Sequence, residues 1–261
     1  MRTEPVTLRH VGSRPAGLVT LSDPTGRDEL GVDGVDTRSA VALLDRLLGG
    51  RAPLEAGVLT AADRDALLAA LHRHCWSDRI VSTLTCVSCG EPFDLSFELS
   101  AVQRHLSGAA TNWRAHAGVI THPDGRSIPL PTAHDELESV SEGAPGAAER
   151  LAARVGISAD ALVEAAEALE AAAPILDLDL DAECADCGRH QLAHFDLQSY
   201  VLQRLLDERE TLLADIHALA ARYGWSLGEI LDLPRQTRQS FAKMASGASP
   251  AGPRTRHGGG A

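Results

Sequence analysis

The sequence predicts an α+β protein in which two distant β-hairpins, each with a cysteine pair at its tip, lie together between helical segments. Three observations predict this fold. The pattern C-x2-C-G occurs twice, as Cys86–Gly90 and as Cys184–Gly188, with 94 residues between the two pairs. Alternation of apolar and polar residues, which is typical of strands, flanks both pairs. Apolar residues recur at helical spacing before residue 77 and after residue 196.

The two cysteine pairs have the spacing of a metal site. A C-x2-C turn points two thiolates at one ion, and the following glycine supplies the positive φ that such a turn often needs. Two facing turns give four sulfur ligands in a tetrahedron, with Zn–S bonds of about 2.3 Å. We expect a structural Zn²⁺ site in a split zinc ribbon, because four cysteines leave no coordination position for a catalytic water. The expected ligands are Cys86, Cys89, Cys184 and Cys187.

Three other chemistries remain open for these thiols. Either pair alone is compatible with a redox dithiol, and the four together are compatible with a disulfide framework or an iron–sulfur site. A redox pair usually stands alone at the start of a helix in a βαβ unit, whereas each pair here follows a strand-like run. This context favours structural zinc.

Composition bounds the class of protein. The 261 residues are 44% hydrophobic, only 3% aromatic, and carry a net charge of −12. This length is enough for a sizeable core, and the negative charge opposes binding to nucleic acid or to an anionic membrane surface. No apolar run reaches 18 residues, and the N-terminus has no signal-peptide pattern. Since five cysteines fit a reducing compartment, we expect a cytoplasmic protein.

Five segments are predicted along the chain. Residues 1–35 are an extended N-terminal arm and residues 36–76 a helical segment. Residues 77–196 are the split zinc ribbon with an inserted hairpin and helical module. Residues 197–245 are one long helix followed by short helices, and residues 246–261 are a disordered tail.

The first two segments contain short strands and two helices. Gly49 and Gly50 end the first helix, which Thr37 caps, and Thr60 caps the second. The expected elements are strands at Val6–Leu8 and Gly17–Leu21 and helices at Thr37–Leu48 and Thr60–His74.

Three residues at the end of the second helix have side chains that can bind metal. Four cysteines already suffice for one ion, so His72 and His74 are interpreted as surface residues. Cys75, the fifth cysteine, is interpreted as a small buried hydrophobe rather than a nucleophile.

The ribbon segment consists of strands around each cysteine pair and of the inserted module. Each hairpin has an apolar face without a partner, so pairing the two hairpins buries both faces. The strands beside the cysteines are expected at Ile80–Leu84, Phe93–Leu99, Leu176–Leu180 and Gln191–Phe195. Within the insert, we expect a hairpin of Gly118–Thr121 and Ser127–Leu130, helices at Glu136–Val140, Ala147–Val155 and Ser158–Ala172, and a loop at Ser141–Gly146. Pro129 indicates an edge strand.

The C-terminal segment is predicted to be helical. One long amphipathic helix is expected over Leu197–Tyr223, with the charged stretch Asp207–Glu210 as a solvated face. Ser226 and Glu229 form a capping box for a short turn. Pro234 opens a last helix that ends near Ala245.

Signatures of known catalysts are missing from the sequence. It contains no G-x-x-x-x-G-K-[ST], G-x-G-x-x-G, G-x-S-x-G or H-E-x-x-H pattern. His134, Asp135, Glu136 and Glu138 lie close in sequence, but acidic residues at a helix start are explained by its positive end. We therefore expect no catalytic residue, no organic cofactor and no small-molecule substrate.

Part of the chain resembles a known family. The residues that carry this resemblance are Arg222-Tyr223-Gly224-Trp225-Ser226, then Glu229–Pro234, then Arg235 and Arg238. This C-terminal part is similar to the C-terminal signature of baseplate hub proteins from contractile-tail bacteriophages. In that family a long helix meets a Trp-Ser turn and a Leu-Pro step into a basic helix. Ile128–Thr132 with Asp135-Glu136-Leu137 is similar to an internal piece of the same family, and some relatives carry paired C-x2-C knuckles. The chain departs from the family where Gln236, Thr237, Gln239 and Ser240 dilute the basic helix.

The resemblance implies a non-enzymatic part of a phage-tail-like baseplate or contractile injection system, or a factor in virion assembly. Its partners would be baseplate, spike or tube proteins, and it would lie in the cytoplasm or within the assembled particle. We expect the docking surface on an exposed stripe of Leu202, Leu206 and Leu213. The alternatives are a zinc-ribbon adaptor in nucleic-acid metabolism and a thiol redox protein.

Overall fold

The computed structural model describes residues 3–10, 17–49, 54–107, 112–140 and 146–247. Within these ranges, helices and small antiparallel sheets combine in an α+β fold, as predicted. Gly50, most of the expected loop at 141–146 and most of the expected tail at 246–261 lie outside the described residues.

Helices make up most of the regular structure. They are α1 (Gly26–Leu30), α2 (Thr37–Leu48), α3 (Ala61–Cys75), α4 (Leu99–Ser107), α5 (Ala133–Val140), α6 (Ala147–Arg154), α7 (Ala159–Ala172), α8 (Leu197–Asp207), α9 (Arg209–Tyr223), α10 (Leu227–Leu231) and α11 (Arg235–Ala245), with a 3₁₀ turn at Ala56–Val58.

The strands form small antiparallel sheets. They are β1 (Val6–Leu8), β2 (Gly17–Val19), β3 (Arg79–Thr85), β4 (Pro92–Glu98), β5 (Arg114–His116), β6 (Val119–Thr121), β7 (Ser127–Pro129), β8 (Asp177–Glu183) and β9 (His190–Asp196). β1 pairs with β2, β3 with β4, and β8 with β9, whereas β5, β6 and β7 form a three-stranded sheet in that order.

A helix–hairpin–helix unit occurs twice in the chain. The two copies are offset by 98 positions, so that Cys86 of the first corresponds to Cys184 of the second. The first copy is α3–β3–β4–α4 and the second is α7–β8–β9–α8, with the strand boundaries in the same register. The helix caps correspond too: Thr60 begins α3 and Ser158 begins α7, each accepting a hydrogen bond from the backbone three residues on. The repeat predicted for the cysteine hairpins therefore extends to the flanking helices.

The largest apolar core joins the two copies to the N-terminal helices. Leu44 of α2, Leu68 of α3 and Val201 of α8 are each 0% exposed and lie in one cluster. Phe195 of β9 and Leu99 at the start of α4 belong to the same cluster. This core therefore joins residues of both copies to the N-terminal helices.

The N-terminal region differs from the extended arm that we expected over residues 1–35. The strands β1 and β2 occur as predicted, but the segment also contains α1 and contributes Leu21 and Val32 to the main core. The backbone N–H groups of Arg9 and His10 donate to the Asp63 carboxylate, each at 2.8 Å. The described part of this segment is therefore packed against the rest of the chain. The sequence did not indicate this, because Asp63 is more than 50 positions away from Arg9 and His10.

The long helix expected over Leu197–Tyr223 is two helices. It breaks at Glu208, which ends α8 and precedes α9. The Glu208 carboxylate accepts a hydrogen bond of 2.7 Å from Trp76 Nε1 and pairs with Arg235. The charged stretch Asp207–Glu210 is thus partly an internal contact rather than only a solvated face.

The inserted module contains the expected hairpin and helices, together with elements that the sequence did not indicate. Pro129 lies on the edge strand β7, as predicted. β5 and α4 were not predicted. The start of α4 is held by Asp78, whose carboxylate accepts from the Ser100 N–H at 3.2 Å and from its hydroxyl at 2.6 Å. This cap comes from 22 positions away, so the local pattern could not reveal it.

Helices α9, α10 and α11 form a C-terminal unit with a small core of its own, which includes Leu219, Ile230 and Ala242. The capping box predicted for Ser226 and Glu229 is present. Arg235 and Arg238, the two arginines of α11, are 3% and 1% exposed and pair with Glu29 of α1. They hold this unit against the N-terminal region.

Among the described residues, no helix combines the length and apolar character that crossing a membrane requires.

Candidate metal centre

The first cysteine turn follows β3 directly. The Gly90 N–H donates to the Cys86 carbonyl at 2.9 Å, and the Cys86 N–H donates to the Glu91 carbonyl at 3.0 Å. These two bonds close a tight loop that presents both thiols on the same side. Gly90 has a φ of +78°, which non-glycine residues rarely adopt.

The second turn reproduces the first. The Gly188 N–H donates to the Cys184 carbonyl at 2.9 Å, the Cys184 N–H donates to the Arg189 carbonyl at 2.9 Å, and Gly188 has a φ of +68°. The glycine predicted to close each turn therefore has the conformation that we expected.

The structure brings the four predicted cysteines together. The sulfur atoms of Cys86, Cys89, Cys184 and Cys187 all lie within 4.8 Å of one another. Two of these approaches run between the hairpins, with Cys86 Sγ 3.6 Å from Cys187 Sγ and Cys89 Sγ 3.8 Å from Cys184 Sγ. Four sulfurs bound at 2.3 Å to one tetrahedral ion are about 3.8 Å apart. The arrangement is compatible with a single metal ion.

The burial of the four thiols follows the internal repeat. Cys86 and Cys184, the first cysteine of each turn, are 2% and 1% exposed, whereas Cys89 and Cys187 are exposed. Hydrogen bonds from the backbone of Cys89 and Ser88 lower the pKa of the Cys86 thiol to about 6. A lowered pKa favours the thiolate, which is the form that binds metal. Hydrogen bonds from the Glu91 and Arg189 backbone are outweighed by burial and the neighbouring sulfurs, so the pKa of Cys89 is raised to about 12 and that of Cys187 is also raised.

Side chains of both hairpins pack behind the sulfurs. Cys86 and Cys184, the two buried cysteines, lie in one apolar cluster with Phe93, Ala182 and Ala193. Further along the strands, Phe97 and Phe195 occupy equivalent positions of the two copies and meet edge to face, with ring centroids 5.0 Å apart. The unpaired apolar faces of the hairpins are thus buried against each other, as predicted.

Gln191 links the second hairpin to the first cysteine turn. Its Oε1 accepts from the Val87 N–H at 2.9 Å, and its Nε2 donates to the Thr85 carbonyl at 3.2 Å. Sequence reasoning missed this residue, because nothing in a polar residue of a strand indicates a partner more than 100 positions away. Gln191 orients the turn that carries Cys86 and Cys89.

The remaining thiol, Cys75, lies away from this cluster in the main core. Burial raises its pKa to about 12, so it stays a thiol at neutral pH. The interpretation of Cys75 as a small hydrophobe agrees with this environment.

His72 and His74 are not the surface residues that we expected. His72 is 0% exposed, and burial together with the nearby Arg204 guanidinium lowers its pKa to about 4. His74 Nε2 lies 3.0 Å from the Asp23 carboxylate, and both side chains are largely buried. Neither residue belongs to the sulfur cluster; both connect α3 to distant parts of the chain.

The residues around His134 serve the helix start. Asp135 accepts from the N–H and hydroxyl of Thr132 at 2.9 and 2.7 Å, which caps α5. Glu136 pairs with Arg64 at 3.0 Å, and Arg154 pairs with Asp135 and Glu138. These contacts agree with the structural interpretation of this cluster.

The expected docking stripe is not a continuous surface. Leu202 is 0% exposed in the main core and Leu206 packs against it, so only Leu213 is open, with 52% of its surface exposed. The break at Glu208 separates Leu213 from the first two residues of the stripe.

The chain matches no protein-family model, no curated protein and no solved structure.

Proposed function

We propose that Cys86, Cys89, Cys184 and Cys187 hold one structural Zn²⁺ in a split zinc ribbon, and that the protein is a non-enzymatic component or assembly factor of a contractile-tail-like baseplate. The single observation that carries the metal assignment is the sulfur cluster between two hairpins. Four soft sulfur ligands at this spacing suit Zn²⁺.

The distances between sulfurs weigh against the other thiol chemistries. A cluster of several irons spreads its thiolates over different metal atoms, so its sulfurs lie further apart than those around one ion. A disulfide would require an S–S distance of about 2.05 Å, whereas all four cysteines are free and Cys86 Sγ lies 3.6 Å from Cys187 Sγ. A single four-coordinate ion accounts for all four positions at once.

The ion would join parts of the chain that little else connects at the hairpin tips. Among the described residues, a small apolar cluster and the hydrogen bonds of Gln191 accompany the sulfurs there. Binding of a structural zinc is worth on the order of 10 kcal/mol or more in small zinc domains. Because all four positions are filled by protein, the ion would stabilise the fold and would not activate water.

The assignment to a baseplate rests on the sequence resemblance at Arg222–Pro234 and at Arg235 and Arg238. In the structure these positions serve packing within the chain: Trp225 lies against Tyr223 and Phe241, with centroids 5.0 and 5.3 Å away. A conserved architecture of this unit would explain the resemblance without direct contact to a partner. Partner contacts are then expected on the exposed surfaces.

Metal analysis tests the first half of the proposal. Inductively coupled plasma mass spectrometry of the purified wild-type protein should find one zinc per chain, and the Cys184→Ser variant should lose most of this zinc. Cys75→Ala is the matched control and should retain the metal. Less than one zinc per chain in the wild type, unchanged by Cys184→Ser, or iron in place of zinc, would refute the assignment.

A tagged pull-down from the native cell, with the bound proteins identified by mass spectrometry, tests the second half. Tube, spike or baseplate proteins should be recovered with the wild type. Recovery of a polymerase or RNA-processing enzyme instead would favour the zinc-ribbon adaptor. Recovery of a protein that is bound through a mixed disulfide, and that a reductant releases, would favour the thiol redox protein.

A further inference from the structure

The two copies of the hairpin differ on their outer faces. In β3 the outward residues are Arg79, Val81, Thr83 and Thr85, whereas in β8 the corresponding residues are Asp177, Asp179, Asp181 and Glu183. Both hairpins have the same strand boundaries and the same register. Since the first copy folds without carboxylates at these positions, the row of four in the second copy is not needed for the hairpin itself.

An exposed leucine lies among these carboxylates. Leu192 of β9 stands opposite Asp181 and is 71% exposed. His190 Nδ1 lies 2.9 Å from Asp181, and His194 Nδ1 lies 3.3 Å from Asp179. Four carboxylates outnumber two imidazoles, so this side remains negative in any protonation state of the histidines. We name the outward side chains of β8, together with Leu192, the acidic face.

The C-terminal unit presents the opposite kind of surface. The chain has three Trp, two Tyr and four Phe. Three of these rings, Tyr223, Trp225 and Phe241, touch one another, and Trp225 and Phe241 are partly buried against the small core of this unit. Tyr223 is 40% exposed. Leu227 and Met244, close to these rings in sequence, are 57% and 52% exposed. These five side chains are the aromatic patch.

Basic residues flank the aromatic patch. Arg222 precedes Tyr223 and Lys243 precedes Met244 in the sequence, and both are exposed, whereas the carboxylate of Glu229, two residues after Leu227, is held by Ser226 in the capping box of α10. Aromatic side chains and arginine are the residues that most often anchor protein interfaces. An apolar surface with basic neighbours fits a partner that offers an apolar side chain between carboxylates.

We propose that the aromatic patch of one chain binds the acidic face of a second copy. Leu192 would insert against the rings, and the carboxylates of β8 would meet Arg222 and Lys243. The contact joins two different surfaces, so it is heterologous and repeats from chain to chain, producing a ring or an open filament. This inference stands on the charges and exposure of the two surfaces and does not depend on the proposed function.

Two variants separate the two halves of the contact. The patch variant carries Leu227→Asp and Lys243→Glu, and an acid at the first position of α10 is compatible with the helix start. The face variant carries Leu192→Lys, which stands opposite Asp181 and preserves the hairpin through an opposite-charge pair. Leu18→Lys is the matched control, because Leu18 is a strand residue that is 74% exposed and lies outside both surfaces.

Sedimentation velocity of the full chain measures the outcome. In about 0.05 M salt the wild type and Leu18→Lys should sediment above the monomer mass of 27.6 kDa, and in about 0.5 M salt they should approach it, because salt screens exposed charges. Each contact variant alone should remain monomeric. An equimolar mixture of the patch and face variants should give a dimer and nothing larger, since only one intact pair of surfaces remains.

Three results would overturn the proposal: a wild type that is monomeric at low salt, a contact variant that assembles like the wild type, or a mixture that stays monomeric. Unchanged circular dichroism and metal content of each variant would show that loss of assembly is not loss of folding. Failure here would leave the zinc assignment untouched, because metal content is measured separately.

Discussion

Arg238 Nη2 donates to both oxygens of the Glu29 carboxylate, at 2.9 and 2.8 Å, although the two residues are 209 positions apart in the chain. Glu29 is 5% exposed and Arg238 is 1% exposed. Arg235 Nη1 lies 3.2 Å from the same carboxylate. Two buried guanidinium groups therefore share the Glu29 carboxylate, which fastens α11 to α1, while Glu208 and Asp215 supply a second carboxylate to Arg235 and Arg238.

Glu29→Gln should strongly destabilise the attachment of the C-terminal unit. The substitution keeps the volume of the side chain but leaves two buried cations without their shared anion, and breaking a buried pair in this way costs about 3–5 kcal/mol. Urea denaturation followed by tryptophan fluorescence would measure the loss. Glu210→Gln, at an exposed position of α9, is the control and should change the free energy of unfolding by less than about 0.5 kcal/mol. If both substitutions changed the free energy of unfolding equally, the pairing of Glu29 with the two arginines would not be what holds the C-terminal unit in place.

Phe97 and Phe195 should stabilise the paired hairpins jointly. Their rings meet at 90° with centroids 5.0 Å apart, a geometry that contributes about 0.5–1.5 kcal/mol beyond burial. A double-mutant cycle of Phe97→Leu and Phe195→Leu in the metal-loaded protein should give a coupling free energy in this range. Additive effects, within about 0.3–0.5 kcal/mol, would mean that the ring contact itself contributes nothing.

Asp65 should make the stability depend on pH. Burial raises the pKa of its carboxyl from 3.8 to about 7, against a hydrogen bond from the Leu176 N–H that lowers it. Between these values the folded protein holds a proton that the unfolded chain releases, so this group lowers the free energy of unfolding as pH rises through that window. Each unit of pKa difference corresponds to about 1.4 kcal/mol.

Asp65→Asn isolates this effect. An amide oxygen can still accept from the Leu176 N–H, but the side chain no longer titrates. Relative to the wild type, the variant should therefore gain stability progressively between about pH 4 and about pH 7 and keep a constant difference above that. Urea titrations at several pH values would measure this difference. Parallel profiles of the two proteins would show that Asp65 has the same pKa in the folded and unfolded states.

Local signals in the sequence were sufficient for the cysteine turns and for most element boundaries. The C-x2-C-G pattern predicted which sulfurs come together, because the turn geometry and the need for a positive φ at Gly90 and Gly188 act within a few residues. Alternation predicted the strands around both pairs, and short polar side chains such as Thr60, Ser158 and Ser226 predicted helix starts, because a cap bonds to the backbone three positions on.

Only the tertiary structure decided the rest, because it depends on contacts between residues far apart in the chain. Glu208 interrupts an otherwise continuous apolar stripe through its bonds to Trp76 and Arg235, and no helical period contains that information. His72 is buried and the N-terminal segment is packed because α3 and α8 provide apolar surface and Asp63 provides acceptors. The sequence by itself determined each hairpin and the four thiols expected to meet; three-dimensional packing determined how the two copies, 98 positions apart, dock on each other, through the ring contact of Phe97 with Phe195 and the hydrogen bonds of Gln191.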